Sequence, residues 1–97
     1  MPTYILLGSF TDQGIRNVKD TTKRAEALRG LGQSFGVTVK DVYWTLGRYD
    51  VATILEAPDD AAVTALGLSI GALGNIRTET LRAFSAAEIG QILGRMG

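Results

Sequence analysis

Apolar residues along this chain follow two spacings, the short runs typical of strands and the three- and four-residue steps typical of helices. Tyr4 to Phe10 is a short apolar run ended by Thr11 and Asp12, which predicts a buried strand. Thr11 or Asp12 can cap a helix, and glycines weaken and end that helix near Gly36. One side of the helix is predicted to be buried, and it carries Ile15, Val18, Thr22, Ala25, Leu28, Leu31 and Phe35.

The middle of the chain predicts a hairpin. Val37 to Leu46 and Tyr49 to Glu56 are rich in β-branched and aromatic residues, and Gly47-Arg48 between them suits a two-residue turn that needs a positive φ. This turn places Trp44 opposite Val51, and it fixes every other cross-strand pair of the hairpin.

The second half repeats the order of helix and strand. Ala57-Pro58 ends the hairpin, Asp59-Asp60 opens a helix that Gly74-Asn75 closes, and Ile76 to Phe84 predicts the last strand. Ser85 is expected to cap a C-terminal helix through about Gly94. We therefore expect a single domain over residues 1–97 with the α+β, ferredoxin-like split βαβ fold, in which helices lie on one face of an antiparallel four-stranded sheet.

The predicted hairpin register sorts its side chains onto two faces. The face expected under the helices carries Val42, Trp44, Leu46, Tyr49, Val51 and Leu55. The opposite face carries Val39, Asp41, Tyr43, Thr45, Asp50, Ala52, Ile54 and Glu56, which is too apolar a set to leave in water. A second copy of the same sheet is the simplest cover, so we expect a homodimer or an assembly of dimers.

Charge and composition exclude several classes of function. Ten Lys and Arg balance ten Asp and Glu, which disfavours nucleic acid and anionic membranes as partners. The chain has no His and no Cys, so the commonest general base, metal ligand and haem ligands are missing. No apolar stretch reaches the length of a membrane span, and no signal peptide is recognisable. We expect a cytoplasmic protein with no metal site and no cofactor.

The most reactive residue types lie around the hairpin. In the functional interpretation, Asp50, Thr45 and Tyr43 face a cavity enclosed between the sheets of the two copies, beside Tyr49, with Glu56 or Arg77 further along. A buried carboxylate beside a phenol could accept and donate a proton. In the structural interpretation, which the position beside a turn favours, Tyr49 is a core residue and Asp50 bonds to the turn backbone. Asp59 and Asp60 are likewise interpreted as helix caps in preference to a metal pair.

Several segments resemble one known family. Leu46-Gly47-Arg48-Tyr49-Asp50-Val51, followed by Glu56-Ala57-Pro58-Asp59-Asp60, is similar to the GYD domain family. The resemblance extends through Gly14-Ile15, Lys23-Arg24-Ala25-Glu26, the segment from Gly74 to Thr80 and Arg82-Ala83-Phe84. It implies a bacterial protein of the dimeric α/β-barrel superfamily, in which two ferredoxin-like protomers join their sheets. It does not imply a reaction, because related barrels serve many purposes.

Two functions stay open from the sequence. One is a small-molecule-binding barrel, which could be a cofactor-free enzyme acting on an apolar or aromatic compound. The other is a non-catalytic oligomerisation or regulatory module. A cavity that contains Asp50 would favour the first function, whereas a barrel interior filled by Tyr43, Ile54 and their neighbours would favour the second.

Overall fold

Strands and helices alternate along the chain in the order that the sequence predicts. The computed structural model describes residues 1–97. Its elements are β1 (Thr3–Phe10), α1 (Asp12–Arg16), α2 (Thr21–Ser34), β2 (Thr38–Trp44), β3 (Val51–Glu56), α3 (Asp60–Ala72), β4 (Ile76–Ala83) and α4 (Ala86–Gly94). A single 3-10 turn, Val18–Asp20, separates α1 from α2.

The four strands form one antiparallel sheet in the order β2-β3-β1-β4. This order is that of the split βαβ arrangement, so the predicted ferredoxin-like fold is confirmed. The predicted hairpin pairs Trp44–Val51 and Tyr43–Ala52 are confirmed as well. The strands end sooner than expected and leave a loop over residues 45–50, in which Gly47 has the positive φ of +103° that the turn requires.

A β-bulge corrects the predicted faces of the hairpin. The register of β2 shifts between Val39 and Asp41, so Val39 lies opposite Leu55 and is buried under the helices. The prediction that Val39 lies on the helix-free face was therefore wrong, because the extra residue in β2 reverses the alternation beyond it. Leu46 was also misplaced, since it lies in the loop with its side chain fully exposed.

The first helix is shorter than predicted and is broken near Asn17, the C-terminal cap of α1. Ile15, two residues before the break, is 53% exposed, and Thr22 in α2 is exposed as well, so the expected continuous buried stripe was wrong for these two residues. The two ion pairs of the chain are Lys40–Glu56 and Arg82–Glu88, and neither involves this helical region. Arg24 instead donates hydrogen bonds to two backbone carbonyls, those of Asn17 and Gly14.

The core lies between one face of the sheet and helices α2 and α3. Its buried hydrophobic residues are Tyr4, Leu6, Val37, Val39, Leu55, Ala57, Val63 and Leu66. Asp59 caps α3 by accepting a hydrogen bond from the Ala62 N–H at 2.9 Å, as predicted. Asp60 accepts a 2.5 Å hydrogen bond from the Tyr4 hydroxyl. This hydrogen bond and burial raise the pKa of Tyr4, so the neutral phenol fixes the start of α3 against β1.

The opposite face of the sheet has no helix over it; we call it the open face. Across its centre Ile54, Ile5 and Leu81 lie side by side on β3, β1 and β4. Leu81 is 42% exposed and Tyr43, on the edge strand, is 57% exposed, which is a large apolar exposure for a sheet.

Helix α4 extends away from the sheet and makes almost no contact with other elements. Ser85 and Glu88 form a capping box at its start, and the hydrogen bond from the Ser85 N–H lowers the pKa of Glu88. The projecting helix contributes to a longest dimension of 52 Å against a shortest of 18 Å. No helix of the chain has the length and apolar character needed to cross a bilayer.

Replacement of Gly47 by Ala should lower stability by about 1 kcal/mol, because an L side chain at this φ is strained. A Cβ atom at Gly47 would meet nothing within 4 Å, so the cost is purely conformational. Urea denaturation measures it, with Gly71→Ala as the control, since Gly71 is helical, exposed and equally free of neighbours. An unchanged midpoint for Gly47→Ala would contradict the loop conformation.

Candidate functional site

Asp50 joins the hairpin loop to the end of β1. Its backbone N–H donates to the Gly8 carbonyl at 2.8 Å, and its carboxylate accepts from the Phe10 N–H at 2.8 Å. These two bonds extend the β1–β3 ladder past Val51, where regular strand pairing stops. The carboxylate therefore satisfies a backbone donor at the end of the sheet.

Tyr49 lies on the open face, although the sequence register placed it beneath the helices. Its hydroxyl donates a hydrogen bond to the Glu79 carboxylate on β4. That bond, reinforced by burial and by the nearby negative charge, raises the pKa of Tyr49. The phenol is thus held as a neutral donor, and the carboxylate beside it is Glu79 and not Asp50. Thr45 supports the loop by donating to the Tyr49 carbonyl at 2.6 Å.

A groove of about 320 Å³ on the open face brings together two of the predicted site residues, Tyr49 and Arg77. Its other walls are Leu7, Ser9, Arg48, Thr78 and Glu79. Glu79 was not among the candidates, although strand alternation places it on the same face as Arg77. The Arg48 guanidinium lies 5.7 Å from the centre of the Tyr49 ring, so both signs of charge border the phenol.

The remaining candidates are not part of this groove. Tyr43 lies on the edge strand β2 and faces the same way. Glu56 lies at the other end of β3, where its carboxylate is 3.5 Å from the Lys40 ammonium. The length of β3 separates Glu56 from Val51, a distance of roughly 17 Å. A ligand-binding role for the six candidates Tyr43, Thr45, Tyr49, Asp50, Glu56 and Arg77 stays a prediction.

Two further segments are joined at the same end of the sheet. The Thr11 hydroxyl donates to the Gly74 carbonyl at 2.6 Å, and the Thr11 N–H donates to the Asn75 carbonyl at 3.1 Å. Gly14 approaches so closely that a Cβ there would lie 1.8 Å from the Asn75 oxygen. The start of α1 is therefore packed directly on the loop between α3 and β4, and only glycine fits at the contact.

A second cavity, of about 150 Å³, opens at this end between the sheet and helices α2 and α3. Its floor contains Leu6, Gly8 and Thr53, and Trp44 forms part of its wall. Sequence reasoning missed it, because a gap between two helices leaves no periodic signal. No group of three or more acidic, His or Cys side chains is arranged to hold a metal ion.

The sequence pattern of the GYD domain family matches residues 4–93 of this chain. The chain belongs to that family. Three of the segments that resembled it, around Gly14, Gly47 to Val51 and Gly74 to Ile76, meet at one end of the sheet. In this GYD domain their shared feature is backbone hydrogen bonding between loops.

A protein and a crystal structure from the bacterium Thermus thermophilus are similar to this GYD domain. A protein described as a glutamine synthetase and cystathionine beta-lyase binding protein is 37% identical over 90 residues, which cover 92% of this chain and 95% of that protein. A crystal structure from the same organism, that of TTHA0845, is similar with a TM-score of 0.57 and 26% identity, covering 89% of this chain and 96% of the other.

Replacement of Asp50 by Ala should destabilise the domain by about 1–2 kcal/mol, because the Phe10 N–H loses its charged acceptor. Asp50→Asn should cost less, since the amide oxygen can still accept that bond. Thermal unfolding of both variants beside the wild type gives the comparison. Equal stability of all three proteins would mean that the Asp50 carboxylate does not hold the hairpin to β1.

Proposed function

We propose that this GYD domain is a non-catalytic protein-binding module that acts as a homodimer and binds metabolic enzymes through α4. The observation that carries the proposal is that a closed core leaves two apolar surfaces uncovered, the open face and one side of α4. The named activity of the 37% identical relative, which is to bind two enzymes, supports a protein partner in place of a substrate.

The open face suits a second copy of the chain. The apolar row of Ile54, Ile5 and Leu81 is flanked on β4 by the opposite charges of Arg77 and Glu79. A two-fold axis through such a face brings apolar rows together and can place each arginine near the other copy's glutamate. A stable dimer of this kind is expected to bury about 2,000 Å² or more in total.

Helix α4 suits a different protein. Ile89, Ile92 and Leu93 repeat at helical spacing on one side of the helix, Met96 follows just beyond its end, and all four side chains are at least 39% exposed. A helix of nine residues without tertiary packing is marginal in water, even with a capping box. An apolar groove on a partner would supply the missing packing, as in other helix-in-groove complexes.

Chemistry at the predicted site favours binding over catalysis. The carboxylates of Asp50, Glu56 and Glu79 are each engaged, with the Phe10 N–H, Lys40 and Tyr49 in that order. A proton acceptor must be free to reach a substrate. Each of these carboxylates has a structural role within the fold, and this role accounts for its position without a substrate.

Small-molecule binding inside the dimer is a second candidate function. The open-face groove lined by Tyr49, Arg77 and Glu79 favours it, because a facing sheet would enclose the groove. Native mass spectrometry of protein taken from its own cells tests this function. A ligand mass that is present in the wild-type dimer and absent from an Ile54→Lys monomer supports a ligand inside the dimer, and a dimer of two bare chains contradicts one.

Ile54→Lys should break the dimer, because symmetry would bury two unpaired ammonium groups at a cost of about 3–5 kcal/mol. Thr64→Lys on the exposed side of α3 is the matched control and should leave the dimer intact. Native mass spectrometry gives the copy number, and circular dichroism checks that each chain is folded. A dimeric Ile54→Lys variant would contradict an interface on the open face.

Ile92→Glu should weaken binding to a partner enzyme at least about tenfold, because a charge would enter the apolar contact. Gln91→Glu adds the same charge at an exposed polar position of α4 and should change affinity less than about twofold. Glutamine synthetase and cystathionine beta-lyase from the organism that encodes this chain, immobilised as purified proteins, provide the assay. Failure of the wild type to bind either enzyme contradicts these partners, and equal losses for both variants contradict the role of α4.

A further inference from the structure

The 150 Å³ cavity between α2, α3 and the sheet has the properties of a ligand pocket. Eleven of its 17 lining residues are hydrophobic. Its walls come from both helices and from all four strands, so a rigid framework surrounds it. An apolar cavity of about this volume is large enough to hold a six-membered ring.

One side chain gives the pocket a charge. Arg24 is the only charged residue in the lining and is half-buried. The two ion pairs of the chain, Lys40–Glu56 and Arg82–Glu88, do not include it. Its guanidinium donates to the Asn17 carbonyl at 2.8 Å and to the Gly14 carbonyl at 3.4 Å. Both acceptors are neutral, and a guanidinium has five donors, so capacity for a carboxylate remains.

Four further polar residues line the pocket, and only the first is buried: Thr53, Thr21, Asn75 and Thr78. Thr53 is the one polar residue among the buried residues, at 2% exposure, and it borders the cavity from the floor. Trp44 forms an aromatic wall whose indole N–H donates to the Thr21 hydroxyl at 3.0 Å, which fixes the ring across the start of α2. An apolar body with a single anionic group is the ligand shape that matches this distribution.

We infer that this pocket binds a compact carboxylic acid, with its ring or branched aliphatic body among the apolar side chains and its carboxylate on Arg24. The pocket lies on the helix-covered face, away from the open face and α4. It therefore extends the proposed function without depending on it, and binding at the pocket can be measured whether or not the domain binds enzymes.

The chain contains one tryptophan, Trp44, and it lies in the wall of this pocket, so its fluorescence reports occupancy directly. Cyclohexanecarboxylate is the probe, and cyclohexylmethanol is its neutral match in shape. Neither absorbs where tryptophan is excited. We expect a saturable change for the acid, with an affinity at least about tenfold above that of the alcohol, because a charge-assisted bond to Arg24 is available only to the acid.

Two variants distinguish the contribution of the Arg24 charge to affinity from that of the cavity space. Arg24→Gln should bring the affinities for acid and alcohol to within about twofold of each other without weakening the alcohol. Ala25→Leu, which extends a lining side chain into the space, should weaken both probes. A merely structural role of Arg24 at the end of α1 would move both affinities together. If Arg24→Gln does not fold, the wild type is measured with added salt instead. Salt should weaken binding of the acid and leave binding of the alcohol unchanged.

Three results would overturn the inference. The first is no saturable change of Trp44 fluorescence with either probe at millimolar concentration. The second is equal affinity for acid and alcohol in the wild type, which would leave an apolar pocket without acid selectivity. The third is an acid preference that survives both Arg24→Gln and high salt.

Discussion

A sheet has two faces, and two packed helices can cover only one of them. In this GYD domain, α2 and α3 cover the face that carries Tyr4, Leu6 and Leu55, and that side forms the whole core. The other face keeps the row of Ile54, Ile5 and Leu81 without a helix above it. No buried side-chain nitrogen or oxygen atom lacks a hydrogen-bond partner. The open face lacks a cover, so this fold is expected to associate with another chain.

Several residues of the segments typical of the family join loops to one another through hydrogen bonds. Asp50 binds the hairpin to Gly8 and Phe10, and Thr11 binds the start of α1 to Gly74 and Asn75. These hydrogen bonds hold the strand ends together. Two concave surfaces form at this end, one on each side of the sheet. These segments stabilise the arrangement of loops and strand ends, whereas binding depends on the surfaces that this arrangement exposes.

Local signals were sufficient to predict the order of elements and the ferredoxin-like fold. Thr11, Asp59 and Ser85 each cap the helix they were expected to cap, since a cap depends on residues three positions away. The pairing of Trp44 with Val51 was likewise predictable from the turn. These features depend on short stretches of chain, which the sequence displays directly.

Errors arose where distant contacts decide the outcome. The bulge beside Val39 reverses the faces of β2, and no residue type at that point of the sequence indicates a bulge. The helix breaks at Asn17, where Arg24 reaches back to the backbone carbonyls at the end of α1. Tyr49 reaches Glu79 across 30 positions of sequence, so neither the face nor the partner of the phenol was predictable. The apolar cavity is a gap between helices, which only the packed structure reveals.

Sedimentation equilibrium of the wild-type protein at micromolar concentration tests most directly whether the open face is covered by a second copy. We expect a mass of at least twice the 10.3 kDa of one chain, with no monomer until the protein is strongly diluted. A folded protein that sediments at 10.3 kDa across this range would contradict a dimer, because the row of Ile54, Ile5 and Leu81 would then be stable in water.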